Sequence, residues 1–363
     1  MKIIFTLGHP AHFHLYKNTI VELLEQKHEV KIVISDKDIL KKILDLSTFE
    51  YTVIAKSKSN EKLFDKATKL IKSSRELYKI CKEFKPNLMV GCLSQMGIVG
   101  SLLRIKTVFN AEDDASYTFL QAILTYPFMH KILSPFETNL SIFNKKKIGY
   151  QGYHKLAYLH PNRFTPNFEL VKNTIGEKPY IIIRLVNLNA YHDIKAKGIS
   201  ERVLDELISK ITEKFAVYIT SEKALSEKYK AYQLNINPSD IHHFLAFSQF
   251  FIGDSQSMTV ESAMLGIPNI KFNSFAGRIS VLEELQHKYK LTIGINPVEE
   301  EKLFQTVNSF LENKNLKEEY QLRREKLLND KIDVSAFFTW FYLNYPASAK
   351  TMKENPDYQF NFK

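Results

Sequence analysis

Residues 248–270 read SQFFIGDSQSMTVESAMLGIPNI. Phe250, Phe251 and Ile252 make a short apolar run suited to a buried strand, and Gly253-Asp254-Ser255 supplies turn residues directly after it. A helix is expected from Gln256 to Leu265, closed by Gly266 with Pro268 just beyond. Such a strand–turn–helix unit aims backbone N–H groups and the positive end of the helix at whatever sits above the turn, an arrangement suited to a phosphate. Glu261 lies about one and a half turns into the helix, within reach of a sugar hydroxyl on the same ligand. An ordinary βα unit of a parallel sheet with a capping serine has the same pattern, so both readings stand at this point.

The alternation continues in both directions. In the first half, apolar runs at 2–7, 29–35, 51–54, 87–92, 107–110 and 131–134 read as strands, with helical patterns between them at about 13–27, 37–46, 60–84, 95–104 and 116–126. The segment 60–84 is the clearest helix, because Leu63, Ala67, Leu70, Ser74, Leu77, Cys81 and Phe84 recur at three- and four-residue spacing. Lys62, Lys66, Lys69 and Lys72 gather towards its solvent side, as a solvated surface or a membrane-facing patch. In the second half, strands are expected at 180–185, 215–220, 250–253 and 269–272. Helices are expected at 199–213, 239–247, 277–288, about 297–312, 315–328 and 333–344.

A chain of 363 residues exceeds one typical core. Repeated βα alternation in both halves predicts the α/β class, with two doubly wound parallel sheets facing each other across a cleft. The first domain is expected over 1–150. The Pro- and aromatic-rich segment GYQGYHKLAYLHPNRFTPN at 149–167 breaks the periodicity and reads as a connection over 151–170. The second domain then covers 171–332, and the polar residues 346–363, with Pro346 and Pro356, read as a loose tail.

Composition narrows the function classes. Hydrophobic content of 44% and charged content of 25% are ordinary for a globular protein. Cys81 and Cys92 are the only cysteines, so no disulfide framework is expected and a reducing compartment fits. The N-terminus, MKIIFTLGHPAHFH, has too short an apolar run for a signal peptide, and no stretch approaches the roughly 20 apolar residues needed to span a bilayer. A cytoplasmic protein is therefore expected. Residues 1–150 hold 23 Lys+Arg against 15 Asp+Glu, whereas 151–363 hold 27 against 25. Most of the formal +10 belongs to the first half, which suits an anionic partner as well as a lysine-decorated surface. No G-x-x-x-x-G-K-[ST] loop, GxGxxG after a strand, G-x-S-x-G elbow or HExxH is present, and no nucleic-acid module is recognisable.

Ligands of doubly wound sheets sit at the C-terminal ends of the strands, and the unusual residues of this chain fall there. After the first strand comes Gly8-His9-Pro10-Ala11-His12-Phe13-His14. A glycine that lets a ligand approach, followed by His9 and His12, suits a general base or a phosphate contact. A metal site and a purely structural loop are the competing readings. Ala111-Glu112-Asp113-Asp114 follows the strand at 107–110, where Glu112 or Asp113 would orient an acceptor hydroxyl or supply the base; capping of the next helix is the alternative. Ser94-Gln95-Met96-Gly97, after Cys92, is a weaker signal. Arg184 ends the strand IIIR, placed to pair with a diphosphate or with Asp193 or Asp254. Asn237-Pro238-Ser239-Asp240-Ile241-His242-His243 precedes a helix and would lie near the base in a nucleotide site.

With these residues assembled, the chain resembles a GT-B protein. More closely, it is similar to an uncharacterised prokaryotic family of unknown function related to UDP-N-acetylglucosamine epimerases and glycosyltransferases. LGHPAHFHLYKN at 7–18, GYHKLAYLHPNRFTPN at 152–167 and GDSQSMTVESAMLGIP at 253–268 carry the resemblance. It implies two Rossmann-like domains, a donor nucleotide held mainly by the C-terminal one, and a last helix at 333–345 crossing back to the N-terminal one. It further implies that the turn of Gly253, Asp254 and Ser255, with Gln256 and Ser257, binds the diphosphate, that Glu261 holds the ribose, and that Arg184 matches the arginine of the epimerases' strand-end His-Arg pair. Ile183 stands where that histidine would be, and Cys92 where those enzymes carry a strand-end aspartate.

The function expected is a glycosyltransferase moving a sugar from a UDP-sugar to an envelope or polysaccharide acceptor, on a glycan or a lipid carrier. His9, His12, Glu112 or Asp113 would act on the acceptor, with Gly8 beside the substrate. The UDP-sugar is then a substrate, and no metal or other cofactor is required. The basic first half would allow peripheral contact with an anionic inner-membrane face, and nucleic acid is not an expected partner. A nucleotide-sugar epimerase or hydrolase is the alternative, and a non-catalytic nucleotide-sugar-binding protein is the third class.

Overall fold

The computed structural model describes residues 1–36, 38–56, 63–186, 198–274 and 279–363. They form two compact units: Met1–Arg163 with Lys331–Lys363, and Phe164–Asp330.

The first unit alternates β1 (Lys2–Leu7), α1 (Pro10–Glu25), β2 (Glu29–Asp36), α2 (Asp38–Asp45), β3 (Tyr51–Lys56), α3 (Leu63–Phe84), β4 (Leu88–Gly91), α4 (Gln95–Leu103), β5 (Lys106–Asn110), α5 (Phe119–Thr125), β6 (Lys131–Pro135), β7 (Lys147–Tyr150) and α6 (Leu156–Leu159). Its seven strands are all parallel, in the order β3-β2-β1-β4-β5-β6-β7. Strands covered by helices on both faces need apolar side chains on both sides. Accordingly Ile3, Ile4, Phe5 and Leu7 of β1 are all fully buried.

The second unit contains α7 (Phe168–Ile175), β8 (Tyr180–Leu185), α8 (Glu201–Ile211), β9 (Ala216–Ser221), α9 (Ile241–Phe247), β10 (Phe251–Gly253), α10 (Gln256–Met264), β11 (Asn269–Phe272), α11 (Ser280–Glu283), β12 (Ile293–Ile295), α12 (Glu300–Glu312) and α13 (Leu316–Asp330). Its five parallel strands run β12-β11-β10-β8-β9. The chain then returns to the first unit with α14 (Val334–Leu343) and α15 (Ala347–Glu354). Asp333 caps α14 by accepting from the Ala336 N–H at 3.1 Å, and the Ser335 hydroxyl donates to the Ala157 carbonyl at 2.6 Å.

Three expectations need correction. The segment 151–170 does not act as a connection over its length: Tyr153, Leu156, Ala157, Tyr158 and Leu159 are buried core, and the boundary falls after Arg163. Its glycines and prolines flank a short helix, and the aromatic content between them marks burial. Residues 346–363 are not a loose tail. They fold as α15 and a 3₁₀ turn over Pro356–Phe362. Tyr358 stacks on Trp340 with ring centroids 4.8 Å apart, and the Phe362 carbonyl accepts from the Asp333 N–H at 2.7 Å. The helix expected at 277–288 is α11 followed by a π-helical turn over Glu284–Lys288. Strands β7 and β12 are not marked by the sequence, because a glycine interrupts each short apolar run.

Candidate functional site

In a doubly wound sheet, the crevice for a ligand opens where the strand order reverses. The first sheet reverses between β1 and β4, and the second between β8 and β10. The loops after these four strands carry most of the residues that the sequence singled out.

In the second unit, Gly253 ends β10 in register with Arg184 of β8 on one side and Lys271 of β11 on the other. Registered neighbours in a parallel sheet project from the same face, so two cations flank a position that has no side chain. A Cβ on Gly253 would lie 2.7 Å from the Phe251 ring and 3.0 Å from Arg184 Cβ, so only glycine fits this approach. Arg184 donates from Nη2 to Glu222 Oε1 at 3.0 Å. Its Nε is buried and has no hydrogen-bond partner among the described residues. Among the described residues its ion-pair partner is Glu222; Asp193 lies outside them.

Ser255 caps α10, its hydroxyl accepting from the Met258 N–H at 3.4 Å. That leaves the start of the helix, at Gln256 and Ser257, with first-turn N–H groups that have no intrahelical acceptor. Asp254 has a structural partner in the folded chain. Its Oδ1 accepts from the Val186 N–H at 2.8 Å, so the carboxyl pins the chain leaving β8. Burial pushes Asp254 up to about 6, against the opposing pull of that backbone bond and of Arg184.

Glu261 is buried on the second turn of α10, with Oε1 3.4 Å from His242 Nε2. His242 belongs to α9, so this pair brings the 237–243 segment alongside the proposed ribose contact. Phe164 stacks near His243 with centroids 4.8 Å apart, and the Asn167 N–H donates to His243 Nδ1 at 3.1 Å. Lys271 and the His242–Glu261 pairing were not singled out from sequence. A lone lysine in a four-residue strand carries no signal until the register sets it beside Gly253.

In the first unit, the loops after β1 and β4 meet closely: a Cβ on Gly8 would lie 2.7 Å from Leu93 Cδ2. The Gly8 N–H donates to His12 Nδ1 at 3.1 Å, and the Ala11 N–H donates to His9 Nδ1 at 3.2 Å, which makes His9 the N-cap of α1. With both Nδ1 atoms accepting, the neutral rings carry their protons on Nε2. In that tautomer the Nε2–H of each ring is a donor. The rings are 6.0 Å apart.

Glu112 is also redirected. Its side chain is only 10% exposed, Oε1 accepts from the His154 N–H at 2.7 Å, and Oε2 pairs with Lys155. Burial opposes its charge, but Lys155 and His154 outweigh burial and hold the carboxyl below its ordinary value. A carboxylate so engaged and so acidic is a poor proton acceptor. His154 is itself driven down to about 4, by burial first and then by Lys155 against the pull of Glu112. Asp114 accepts from the Asn139 N–H at 2.6 Å and is structural. Asp113 is only half-buried. Burial raises the Cys92 thiol to about 12, and the thiol donates to the Asn110 carbonyl at 3.4 Å, so it remains protonated near neutral pH. Among the described residues, no group of three or more His, Cys, Asp or Glu side chains is arranged to hold a metal ion.

Solved structures with this architecture include UDP-GlcNAc 2-epimerases and sugar transferases. UDP-GlcNAc 2-epimerase from Neisseria meningitidis, bound to UDP-GlcNAc, matches with a TM-score of 0.66 at 15% identity, over 94% of this chain and 100% of that one. Another UDP-N-acetylglucosamine 2-epimerase matches with a TM-score of 0.70 at 14% identity, over 95% and 96%. The spinosyn forosaminyltransferase SpnP matches with a TM-score of 0.62 at 13% identity, over 94% and 99%. None of the curated proteins matches the chain. Two Rossmann-like parallel-sheet units of this kind define a GT-B protein. The chain belongs to the DUF354 family, described as a protein of unknown function, whose model matches residues 1–330.

Proposed function

We propose that the protein is a glycosyltransferase whose second unit binds a UDP-sugar and whose first unit handles the acceptor. The observation that carries the donor half is the switch-point site of the second unit. Gly253 lies between Arg184 and Lys271 in register, directly before the Ser255-capped start of α10. Two cations and a helix N-terminus match the charge of a diphosphate, and they would stabilise it as a leaving group. Glu261 would accept from a ribose hydroxyl. No metal or other cofactor enters this reading, because the cations and the helix start supply the positive charge.

In the first unit, His9 and His12 would donate from Nε2 to substrate oxygens, and Asp113 would take the acceptor proton. The protonated Cys92 and the engaged Glu112 favour transfer over epimerisation, which needs groups that remove and return a proton on the sugar ring. The acceptor would be a glycan or a lipid-linked sugar.

Calorimetric titration with UDP tests the donor site. Glu261→Ala is expected to weaken binding by roughly tenfold or more, the loss of a hydrogen bond to a charged group. Unchanged affinity in a folded variant would sink the assignment. Incubation with UDP-GlcNAc alone separates the classes: UDP release that waits for an acceptor supports transfer, and epimer formed without one supports the epimerase alternative.

A further inference from the structure

The outward face of α5 has the wrong polarity for a solvated helix. Phe119, Leu120, Ile123 and Leu124 are between 42% and 63% exposed, whereas the small residues Ala122 and Thr125 on the opposite side are buried. At about 100° per residue, the four large side chains span one arc of the helix. Phe128, just past the helix end, is also exposed. An apolar face of this kind is normally covered.

Cations border it. Lys146 of the 3₁₀ turn Ser141–Lys146 donates to the carbonyls of Tyr126, Pro127 and Met129, at 3.2, 2.6 and 2.8 Å. This ties the turn, with exposed Ile142 and Lys145, to the end of α5. Lys131 lies within electrostatic reach of Lys146 and Lys353, and burial together with these neighbours holds its ammonium below the ordinary value. None of Lys131, Lys145, Lys146 and Lys353 has an ion-pair carboxylate among the described residues.

We propose that α5 and the adjoining lysine turn form a docking surface for an anionic lipid bilayer, with the apolar side chains entering the headgroup boundary and the exposed Lys145 and Lys353 meeting lipid phosphates. A second copy of the chain suits this face poorly, because a two-fold contact sets the same patch against itself and opposes like charges. No helix among the described residues is long and apolar enough to cross a membrane, so the contact is with the surface. This inference does not depend on the chemistry proposed above.

Co-sedimentation of the full chain with vesicles tests it. Binding is expected to phosphatidylcholine vesicles containing phosphatidylglycerol, to be much weaker on phosphatidylcholine alone, and to decline as salt is raised. Leu120→Ser with Leu124→Ser should lower the partition coefficient by about tenfold or more, with an unchanged melting temperature because both side chains already face solvent. Lys145→Gln, which keeps the helix intact, should lower it roughly fivefold. No binding to the anionic vesicles at low salt overturns the proposal, as does binding that survives the paired serine substitution. A concentration-dependent dimer in analytical ultracentrifugation, abolished by the same substitutions, would assign the face to a second copy instead.

Discussion

Replacing Glu112 by Gln separates a structural carboxylate from a catalytic one. The glutamine keeps an oxygen for the His154 N–H but removes the charge beside Lys155, whose side chain is only 7% exposed. Removing one partner of a buried ion pair costs about 3–5 kcal/mol. The affected unit comprises Met1–Arg163 with Lys331–Lys363. For a unit of that size each kcal/mol lowers the midpoint by roughly 2–4 °C, so the expected drop is about 6–20 °C. Trp340, the chain's single tryptophan, sits in α14 of this unit, so its fluorescence reports this transition. Glu112→Leu combined with Lys155→Met removes both charges and should recover most of the loss. A Glu112→Gln protein that melts with the parent yet has lost turnover would refute the reasoning and restore Glu112 as the base.

The same fluorescence probe reads an acid limb. His154 titrates at about 4 in the folded state, against about 6.5 when unfolded. The unfolded chain therefore takes up its proton first as pH falls. The contribution is fully present above pH 6.5 and is lost down to about 4, worth about 3 kcal/mol. Urea midpoints of the Trp340 signal that stay flat between pH 7 and 5 would contradict this. In the second unit, Gly253→Ala should force Phe251 or Arg184 aside, costing about 1–3 kcal/mol and weakening UDP binding. A variant with wild-type calorimetric unfolding and wild-type affinity would show that the close approach at Gly253 is not needed.

The chain's periodicity was enough to define the α/β class and most strand positions, because strands buried on both faces are short apolar runs that stand out from amphipathic helices. Gly253-Asp254-Ser255 and the histidines after β1 were also legible, since glycine and capping residues at strand ends have local causes. What the residues do there was not. Nδ1 of His9 and of His12 accepts a backbone N–H two and four residues away in folded geometry, which sets the tautomer of each neutral ring. Glu112 meets Lys155 across 43 residues of chain, and Asp254 reaches Val186 across 68. Lys271 gains meaning only from the register that sets it beside Gly253. Sequence patterns record local preferences of backbone and solvent. The protonation and partnership of a polar side chain depend on burial and on neighbours brought from elsewhere in the chain, so only the tertiary structure decided them.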